Sequence, residues 1–475
     1  MDNCSNNHTE NAYSIGPLKI DNEPKRAETI NQILSCLVFD DSTIERIRDV
    51  FLSEMELALN EQPSSLQMEN TYIPELPDGT EEGIFLALDL GGTNLRVILM
   101  ELYKSDVIRE EVKHYPIPTE LRIGCGDKLF QYLADCVDDF VRGKGLENVK
   151  LPLGFTFSFP MRQHSLDSGV LVTWTKTFNC PSAVGQDAVK LLQEGLRKCG
   201  RDNIQVLAIL NDTTGTLVQG GRLDPDTRIG IVLGTGSNGA YMEKADRVRH
   251  WETKRHGEKH VVIDIEWGAF GDNGVLDFIK TEFDRAVDDG SLLKNSFTFE
   301  KYIGGKYLGE LCRVILQKLV DNKLLFPKAD NSKFPKAWEF ASDNVSRIER
   351  DAVCGTSEIV DILEKKLGYV RGIEYDENDI KIIRQVSGLI SRRAAQLLAI
   401  NTAALLNRMD ESKVTVAIDG SVYKYHLRLK HWLQWYTSLW APTKKSKFIL
   451  AEDGSGKGAA LIAAIAKKIK ERNLD

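Results

Sequence analysis

Zinc-ligand spacing is missing from this chain: its 8 cysteines, at positions 4, 36, 125, 136, 180, 199, 312 and 354, form no C-x-x-C pair. They are expected to be reduced thiols of a cytosolic protein. An apolar leader is lacking too. The first residues are polar, with Asn3, Asn6, Asn7, Asp21 and Glu23, which predicts a disordered tail over residues 1–26 and neither a secretory signal nor an apolar anchor. The longest apolar helical run, residues 394–406, is broken by Gln396, Asn401 and Thr402, so it reads as a buried helix rather than a membrane span. Positive charge is in deficit, 61 Lys and Arg against 69 Asp and Glu, for a net charge of −8. That balance argues against a nucleic-acid surface, although Lys, backbone amides and a cation can still hold a polyphosphate locally. Finally, no P-loop is present. Around Gly456-Lys457 a Walker motif needs glycine where Ala451 stands and Ser or Thr where Gly458 stands.

What the chain does contain is a glycine turn written twice. Leu88-Asp89-Leu90-Gly91-Gly92-Thr93-Asn94 returns as Leu233-Gly234-Thr235-Gly236-Ser237-Asn238. Each copy lies between β-like runs, residues 84–88 and 95–100 around the first and 229–233 and 240–242 around the second, predicting strand, turn, strand. Glycine lets backbone N–H groups close around an anion, and Thr93 or Thr235 adds a hydroxyl donor. Either copy alone also fits an ordinary hairpin. The repetition points to one nucleotide held between two halves.

At 475 residues, 42% hydrophobic and 27% charged, the chain exceeds one hydrophobic core and suits two domains. Helical periodicity runs from residue 27 to 60, broken at Asp40-Asp41, with Ser42-x-x-Glu45 a candidate capping box. Strands are predicted at 153–159, 206–210, 261–265, 414–418 and 447–450, and helices at 129–141, 183–198 and 459–470. Helices dominate residues 276–407. Strand and helix alternation on both sides of a repeated turn predicts an α/β protein of two units, the second with a helical insertion.

Between the turns, the apolar run 207–210 ends in Asn211-Asp212-Thr213-Thr214. A carboxylate at a strand tip can accept a proton from a substrate hydroxyl; equally, Asp212 can serve only as a helix cap. Polar side chains sit inside two aromatic runs, Phe155-Thr156-Phe157-Ser158-Phe159 and Trp174-Thr175-Lys176-Thr177-Phe178, where an unpaired donor is costly and a sugar hydroxyl is a suitable partner. Glu266 follows a β-branched strand and precedes Trp267, a pairing of carboxylate and aromatic face that suits a polyol.

These segments, with Glu300 to Gly309, Asp419-Gly420-Ser421-Val422-Tyr423 and residues 452–460, resemble the eukaryotic hexokinase and glucokinase family in order from about residue 27 onward. The resemblance implies an actin-like ATPase (ribonuclease H-like) α/β fold, with two domains closing on a central cleft. It implies residues 84–212 plus 458–475 as the small domain, and 27–83 plus 213–457 as the large one. It further implies ATP-dependent phosphorylation of glucose, fructose and mannose at the 6-hydroxyl in the cytoplasm, by a monomer or homodimer. Asp212 would be the base, aided by Lys176. Ser158, Thr175, Lys176, Asn211, Asn238, Glu266 and Glu300 would contact the sugar. Asp89, Gly91, Gly92, Thr93, Asn94, Gly234, Thr235 and Gly236 would line the phosphates, and Gly420, Ser421, Gly454 and Ser455 the adenosine side. Mg²⁺ would arrive with ATP, through water near Asp89, with no direct protein ligand. Thr177 and Ser342 depart from the family pattern. A narrow glucokinase, an N-acetylated amino sugar kinase, a catalytically silent glucose sensor and an ATPase of the same fold remain as alternatives.

Overall fold

A computed structural model describes residues 13–92, 94–175 and 177–472. Thr93 and Lys176, both singled out above, lie outside the described residues. Thirteen strands are described: β1 (Glu69–Asn70), β2 (Gly83–Leu90), β3 (Asn94–Tyr103), β4 (Asp106–Pro116), β5 (Leu151–Phe157), β6 (Met161–Ser165), β7 (Ser168–Leu171), β8 (Ile204–Leu210), β9 (Thr227–Leu233), β10 (Ser237–Lys244), β11 (His260–Asp264), β12 (Lys413–Asp419) and β13 (Lys445–Leu450). They build a 5-stranded sheet in the order β4-β3-β2-β5-β8 and a 6-stranded sheet in the order β1-β11-β10-β9-β12-β13. Without β1 the two orders are the same, and so are the strand directions: two antiparallel pairings on one side of β2 or β9, two parallel pairings on the other. The repeated glycine turn is thus the mark of a repeated sheet.

Why β2 is a central strand follows from its side chains. Leu86, Leu88 and Leu90 pack on one face, with Leu129, Phe130 and Leu133 of the helix Gly126–Gly143. Phe85 and Ala87 point the other way, as the two-residue period of a strand requires. That second face meets Leu217 and Val218 of the helix Asp212–Leu223, residues 459–466 of the helix Gly454–Arg472, and Ala240 and Val262 of the other sheet. The layer between the sheets is therefore two helices thick, and it is made of both units. Full burial of each large aliphatic side chain there contributes about 1.5–3 kcal/mol. The two helices meet backbone to backbone: a Cβ on Gly458 would lie 2.3 Å from the Gly215 carbonyl oxygen. Only glycine permits that approach.

The outer face of the second sheet, with Ile229, Ile231 and Ile263, is covered by Leu397, Leu398 and Leu405 of the helix Glu377–Arg408 and by Phe51 and Met55 of the helix Asp41–Leu59. A separate core holds the helical insertion, from Phe283 to Ile390.

Several local expectations are corrected. The polar tail is packed from residue 13 on: Leu18 and Ile20 are buried, and Leu18 N–H donates to Asn31 Oδ1 at 2.8 Å; residues 1–12 lie outside the described residues. Asp40, not Ser42, caps the helix Asp41–Leu59, accepting from Thr43 N–H at 2.8 Å. The helix expected from 183 begins at Ala188, because Asp187 accepts two backbone N–H groups and caps it there. Strands β1, β4, β6 and β7 escaped the periodicity. Cys354 is disulfide-bonded, against the expectation of reduced thiols throughout. Among the described residues no helix is long and apolar enough to cross a membrane.

Candidate active site

The tip of β8 holds the residues from which the site is built. Asn211 is the N-cap of the helix Asp212–Leu223, its Oδ1 accepting from Thr213 N–H at 3.0 Å. Capping is thus done by Asn211, and Asp212 is not needed for it. Asp212 stands in the first helical turn, where the aligned peptide dipoles favour a carboxylate. The other end of the Asn211 amide donates to Glu266 Oε1 at 3.1 Å, which ties the tip of β8 to the loop after β11.

Glu266 has φ +54°, a left-handed conformation that few non-glycine residues adopt. Such conformations gather at functional sites, where the surrounding structure imposes them. Burial pushes its carboxyl well above the usual range, and Asp264, Asp212, Glu300 and Glu69 push in the same direction. Asp264 is raised to about 7, chiefly by burial, with Asp212 and Glu69 adding to it and the Asn238 hydrogen bond opposing. Glu300, on the short helix Thr298–Ile303, accepts from Ser237 N–H at 3.1 Å. A Cβ on Gly236 would come within 2.2 Å of Glu300 Oε2, so the glycine is what allows this carboxylate to approach the second turn.

Asn238 is buried against the same group, donating through Nδ2 to Asp264 Oδ1 at 2.7 Å. Its Oδ1 accepts from Gly239 N–H at 2.7 Å and Trp267 N–H at 3.3 Å. Asn211, Asp212, Glu266, Asn238 and Glu300, expected from the sequence, are thereby linked by hydrogen bonds and mutual charge. Asp264 and Glu69 join them, though nothing in their sequence surroundings pointed to them. Glu69 lies opposite Asp264 in the β1–β11 pairing and accepts from Gln163 N–H at 2.6 Å. A two-residue strand carries no periodicity by which to find it.

Ser158 follows β5, and its N–H donates to Leu90 O at 3.3 Å, beside the start of the first glycine turn. Thr175 lies in a loop braced by rings: Trp174 stacks on Phe178 with centroids 5.5 Å apart, and both meet Phe159 edge to face. Not every polar group in these aromatic runs awaits a ligand. Thr156 Oγ1 donates to Ser455 O at 2.8 Å. Thr177 Oγ1 accepts from Arg122 at 2.6 Å, and Ser342 Oγ accepts from Gly309 N–H at 2.7 Å. The two departures from the family pattern are thus both engaged by this chain's own groups.

At the two glycine turns, β2 ends at Leu90 and β3 starts at Asn94, while β9 ends at Leu233 and β10 starts at Ser237, so the two hairpins have connections of equal length. A Cβ on Gly91 or Gly92 would meet nothing within 4 Å, leaving open space above that backbone. Asp89 Oδ2 accepts from Arg96, through Nε at 3.0 Å and also Nη2, and from Ser455 Oγ at 3.0 Å. Arg96 also reaches Asp453 at 2.5 Å. Burial lowers the Arg96 pKa, but Asp89 and Asp453 outweigh it and the net shift is upward. Next along, Gly454 N–H donates to Asp419 Oδ2 at 3.0 Å and Gly420 N–H to Asp419 Oδ1 at 2.7 Å. Gly420, at φ +113°, leaves no room for a Cβ, which would lie 2.3 Å from the Leu233 carbonyl oxygen at the second hairpin, and it precedes Ser421, first residue of the helix Ser421–Tyr425. Residues 453–455 and 419–421 therefore form a continuous bridge from one hairpin to the other. Thr235 closes the far side, its carbonyl accepting Lys306 N–H at 2.9 Å, while the neighbouring Gly234 carbonyl accepts Gly305 N–H at 2.8 Å. Arg96, Asp419 and Asp453 were not anticipated as site residues.

Comparison with known proteins gives one consistent answer. A family model described as hexokinase matches residues 29–221, and a second with the same description matches residues 228–465. Hexokinase HKDC1 of Mus musculus is 38% identical over 455 residues, 94% of this chain and 49% of that protein. Human hexokinase-2 is 40% identical over 429 residues, 88% of this chain and 46% of the relative. A hexokinase of Brugia malayi is 36% identical over 482 residues, 100% of this chain and 83% of its own length. The chain therefore spans about half the length of the mammalian relatives. Among solved structures, a hexokinase from Schistosoma mansoni complexed with glucose superposes with a TM-score of 0.82 at 36% identity, covering 93% of this chain and 99% of that one. A second hexokinase structure gives 0.78 at 29% identity, with the same coverage.

Proposed function

Because the chain belongs to the hexokinase family, we propose that it transfers the terminal phosphoryl group of ATP to the 6-hydroxyl of glucose and related hexoses, fructose and mannose among them. The products are the hexose 6-phosphate and ADP, in the cytosol, at the entry to glycolysis. The observation that carries this reading is the joining of Asn211, Glu266, Asn238 and Glu300 around Asp212, next to two glycine hairpins bridged by residues 419–421 and 453–455. Hydroxyl-rich ligands suit the first group and polyphosphate the second.

In this mechanism Asp212 accepts a hydrogen bond from the 6-hydroxyl, orients its oxygen towards the phosphoryl group and takes the proton as the new O–P bond forms. Asn211 supports that role by capping the helix itself, so that the cap makes no demand on the Asp212 carboxylate. Ser158, Thr175, Lys176, Asn238, Glu266 and Glu300 hold the other hydroxyls. Lys176 also balances charge on the transferred group. Positioning and charge neutralisation supply most of the rate enhancement in phosphoryl transfer. The hairpin residues Gly91, Gly92, Thr93, Asn94, Gly234, Thr235 and Gly236 hold phosphate oxygens, and Gly420, Ser421, Gly454 and Ser455 hold the nucleoside.

Mg²⁺ fits this donor set in one way. Among the described residues no three His, Cys, Asp or Glu side chains are grouped to hold a metal. Asp89 offers one carboxylate whose Oδ2 is engaged, leaving Oδ1 for a metal-bound water. Hard oxygen ligands from phosphate, water and one carboxylate are what Mg²⁺ takes. Bound there, it would neutralise charge on the phosphates.

We further propose residues 84–212 plus 458–475 as one lobe and 27–83 plus 213–457 as the other, closing on the ligands to exclude water. The catalytic unit is a single chain, since both hairpins and all the site carboxylates belong to it. Coupled measurement of ADP release with glucose, fructose, mannose and N-acetylglucosamine tests the function. Glucose-dependent release supports it; release with N-acetylglucosamine alone makes the chain an amino sugar kinase. Glucose binding with no release from any sugar leaves a sensor.

A further inference from the structure

Asp264 lies in β11 between β10 and β1, opposite Ala240 on one side and Glu69 on the other, and its side chain is buried. A buried carboxyl beside other carboxyls is unfavourable unless hydrogen bonds offset its desolvation. It accepts a hydrogen bond from Asn238, whose amide is nearly exhausted by protein partners. An asparagine offers two N–H donors and a carbonyl oxygen with two acceptor sites. The Asn238 oxygen accepts from Gly239 and Trp267 N–H, and one Nδ2 hydrogen goes to Asp264. One N–H is left.

We propose that Asp264 is a positioning residue for sugar binding: by accepting one hydrogen of Asn238 it holds that amide so that the remaining N–H faces the ligand, as a donor to a hydroxyl oxygen. This rests on the hexose kinase reading of the site. Gly239 and Trp267 N–H fix which end of the amide is oxygen; the Asp264 carboxylate adds a charge-assisted hydrogen bond that holds the nitrogen end in place. A protonated carboxyl makes only a weaker, neutral hydrogen bond, and that hold loosens.

The surroundings make that hold sensitive to pH. The charged groups facing Asp264 are Glu69 from β1, Asp212 from the helix after β8 and Glu266 from its own loop. Burial and the Asp212 and Glu69 charges hold its pKa at about 7, with the Asn238 hydrogen bond opposing them. As pH rises through that value the carboxylate forms, Asn238 is fixed, and sugar affinity increases. As pH falls below it, affinity is lost.

The test uses the full chain with glucose and ATP at saturating Mg²⁺. For Asp264→Ala at pH 8 the glucose KM should rise about tenfold, the effect of one hydrogen bond to a polar partner, with kcat altered much less. Asp264→Asn keeps a neutral acceptor for the Asn238 N–H without titrating, so it should recover part of the lost affinity. Its glucose KM should stay level between about pH 6 and pH 8.5, while the wild-type KM climbs as pH falls. Should Asp264→Ala fail to fold, Asp264→Asn decides alone: a wild-type pH dependence of KM in that variant overturns the proposal, as does an unchanged KM in a folded Asp264→Ala. Absence of sugar-dependent ADP release from the wild type instead overturns the function on which the proposal rests.

Discussion

Gly454 donates its N–H to Asp419 at 3.0 Å, and through that one carboxylate the end of β12 is held to the start of the last helix. Both oxygens of Asp419 are committed to backbone amides of segments assigned to the nucleoside, Gly420 being the other. Asp419→Ala should therefore loosen the nucleotide side alone. The expected outcome in steady-state kinetics is an ATP KM raised by roughly tenfold, the loss of one or two charge-assisted hydrogen bonds, with the glucose KM little changed. A rise in glucose KM of the same size would remove Asp419 from this role.

For Asp212 the prediction separates chemistry from binding. Asp212→Ala should lower kcat by about 10²–10⁴-fold, the usual span for a general base, while glucose binding measured by calorimetry stays within a few-fold of wild type. Because Asn211 supplies the helix cap, the variant should also keep its melting temperature. A large drop in stability would mean that Asp212 works as a structural group.

The crossing of the two inter-sheet helices gives a stability prediction. An alanine at 458 would put its Cβ 2.3 Å from the Gly215 carbonyl oxygen, and backbone on both sides leaves nothing soft to yield. Gly458→Ala should cost on the order of 1–3 kcal/mol or more, as overpacked positions do. Denaturant midpoints of wild type and variant check it.

His426 links acid to unfolding. It is buried, and burial, reinforced by Arg428, lowers its pKa to about 3. Its Nδ1 accepts from Leu429 N–H at 3.3 Å, so Nε2 carries the hydrogen and meets Ser391 Oγ at 2.9 Å. The folded pKa lies below the unfolded value of about 6.5, so this contribution to stability is whole above about pH 6.5 and is lost as pH falls towards about 3. The slope approaches about 1.4 kcal/mol per pH unit in that window. Urea midpoints between about pH 7 and pH 4 should fall for wild type, and less steeply for His426→Asn.

Much of this site is legible in the sequence, because hydrophobic strands that end abruptly in glycine or in Asn-Asp carry their own punctuation. Asn211, Glu266 and the two hairpins belong to that class. What stays hidden depends on pairing across long separations. Glu69 acquires its place only from the β1–β11 pairing, Arg96 only because β3 folds back beside Asp89, and Asp419 only when residues 453–454 return to it. The capping expectation fails for a local reason: Asp40 and Ser42 are both good caps, and Ser42 gives its hydroxyl to Asp40 at 2.9 Å. The packing of residues 13–23 is equally hard to foresee, since Tyr13, Ile15, Leu18 and Ile20, all of which pack, recur with neither a sustained strand period nor a helical one.

The matching strand order of the two sheets has a consequence for any ligand gripped by both. Two copies of one topology whose corresponding hairpins are joined by residues 419–421 and 453–455 offer like backbone from both sides, whereas the proposed ligands, a nucleoside triphosphate beside a hexose, have a head and a tail. Like backbone therefore greets unlike ends of the ligand, and direction must be imposed by what differs between the copies: Arg96 and Asp453 against Asp89 at one hairpin, Glu300 and Gly420 at the other. Under the proposed activity, polarity of transfer from phosphate donor to sugar then rests on those few residues and not on the scaffold that carries them.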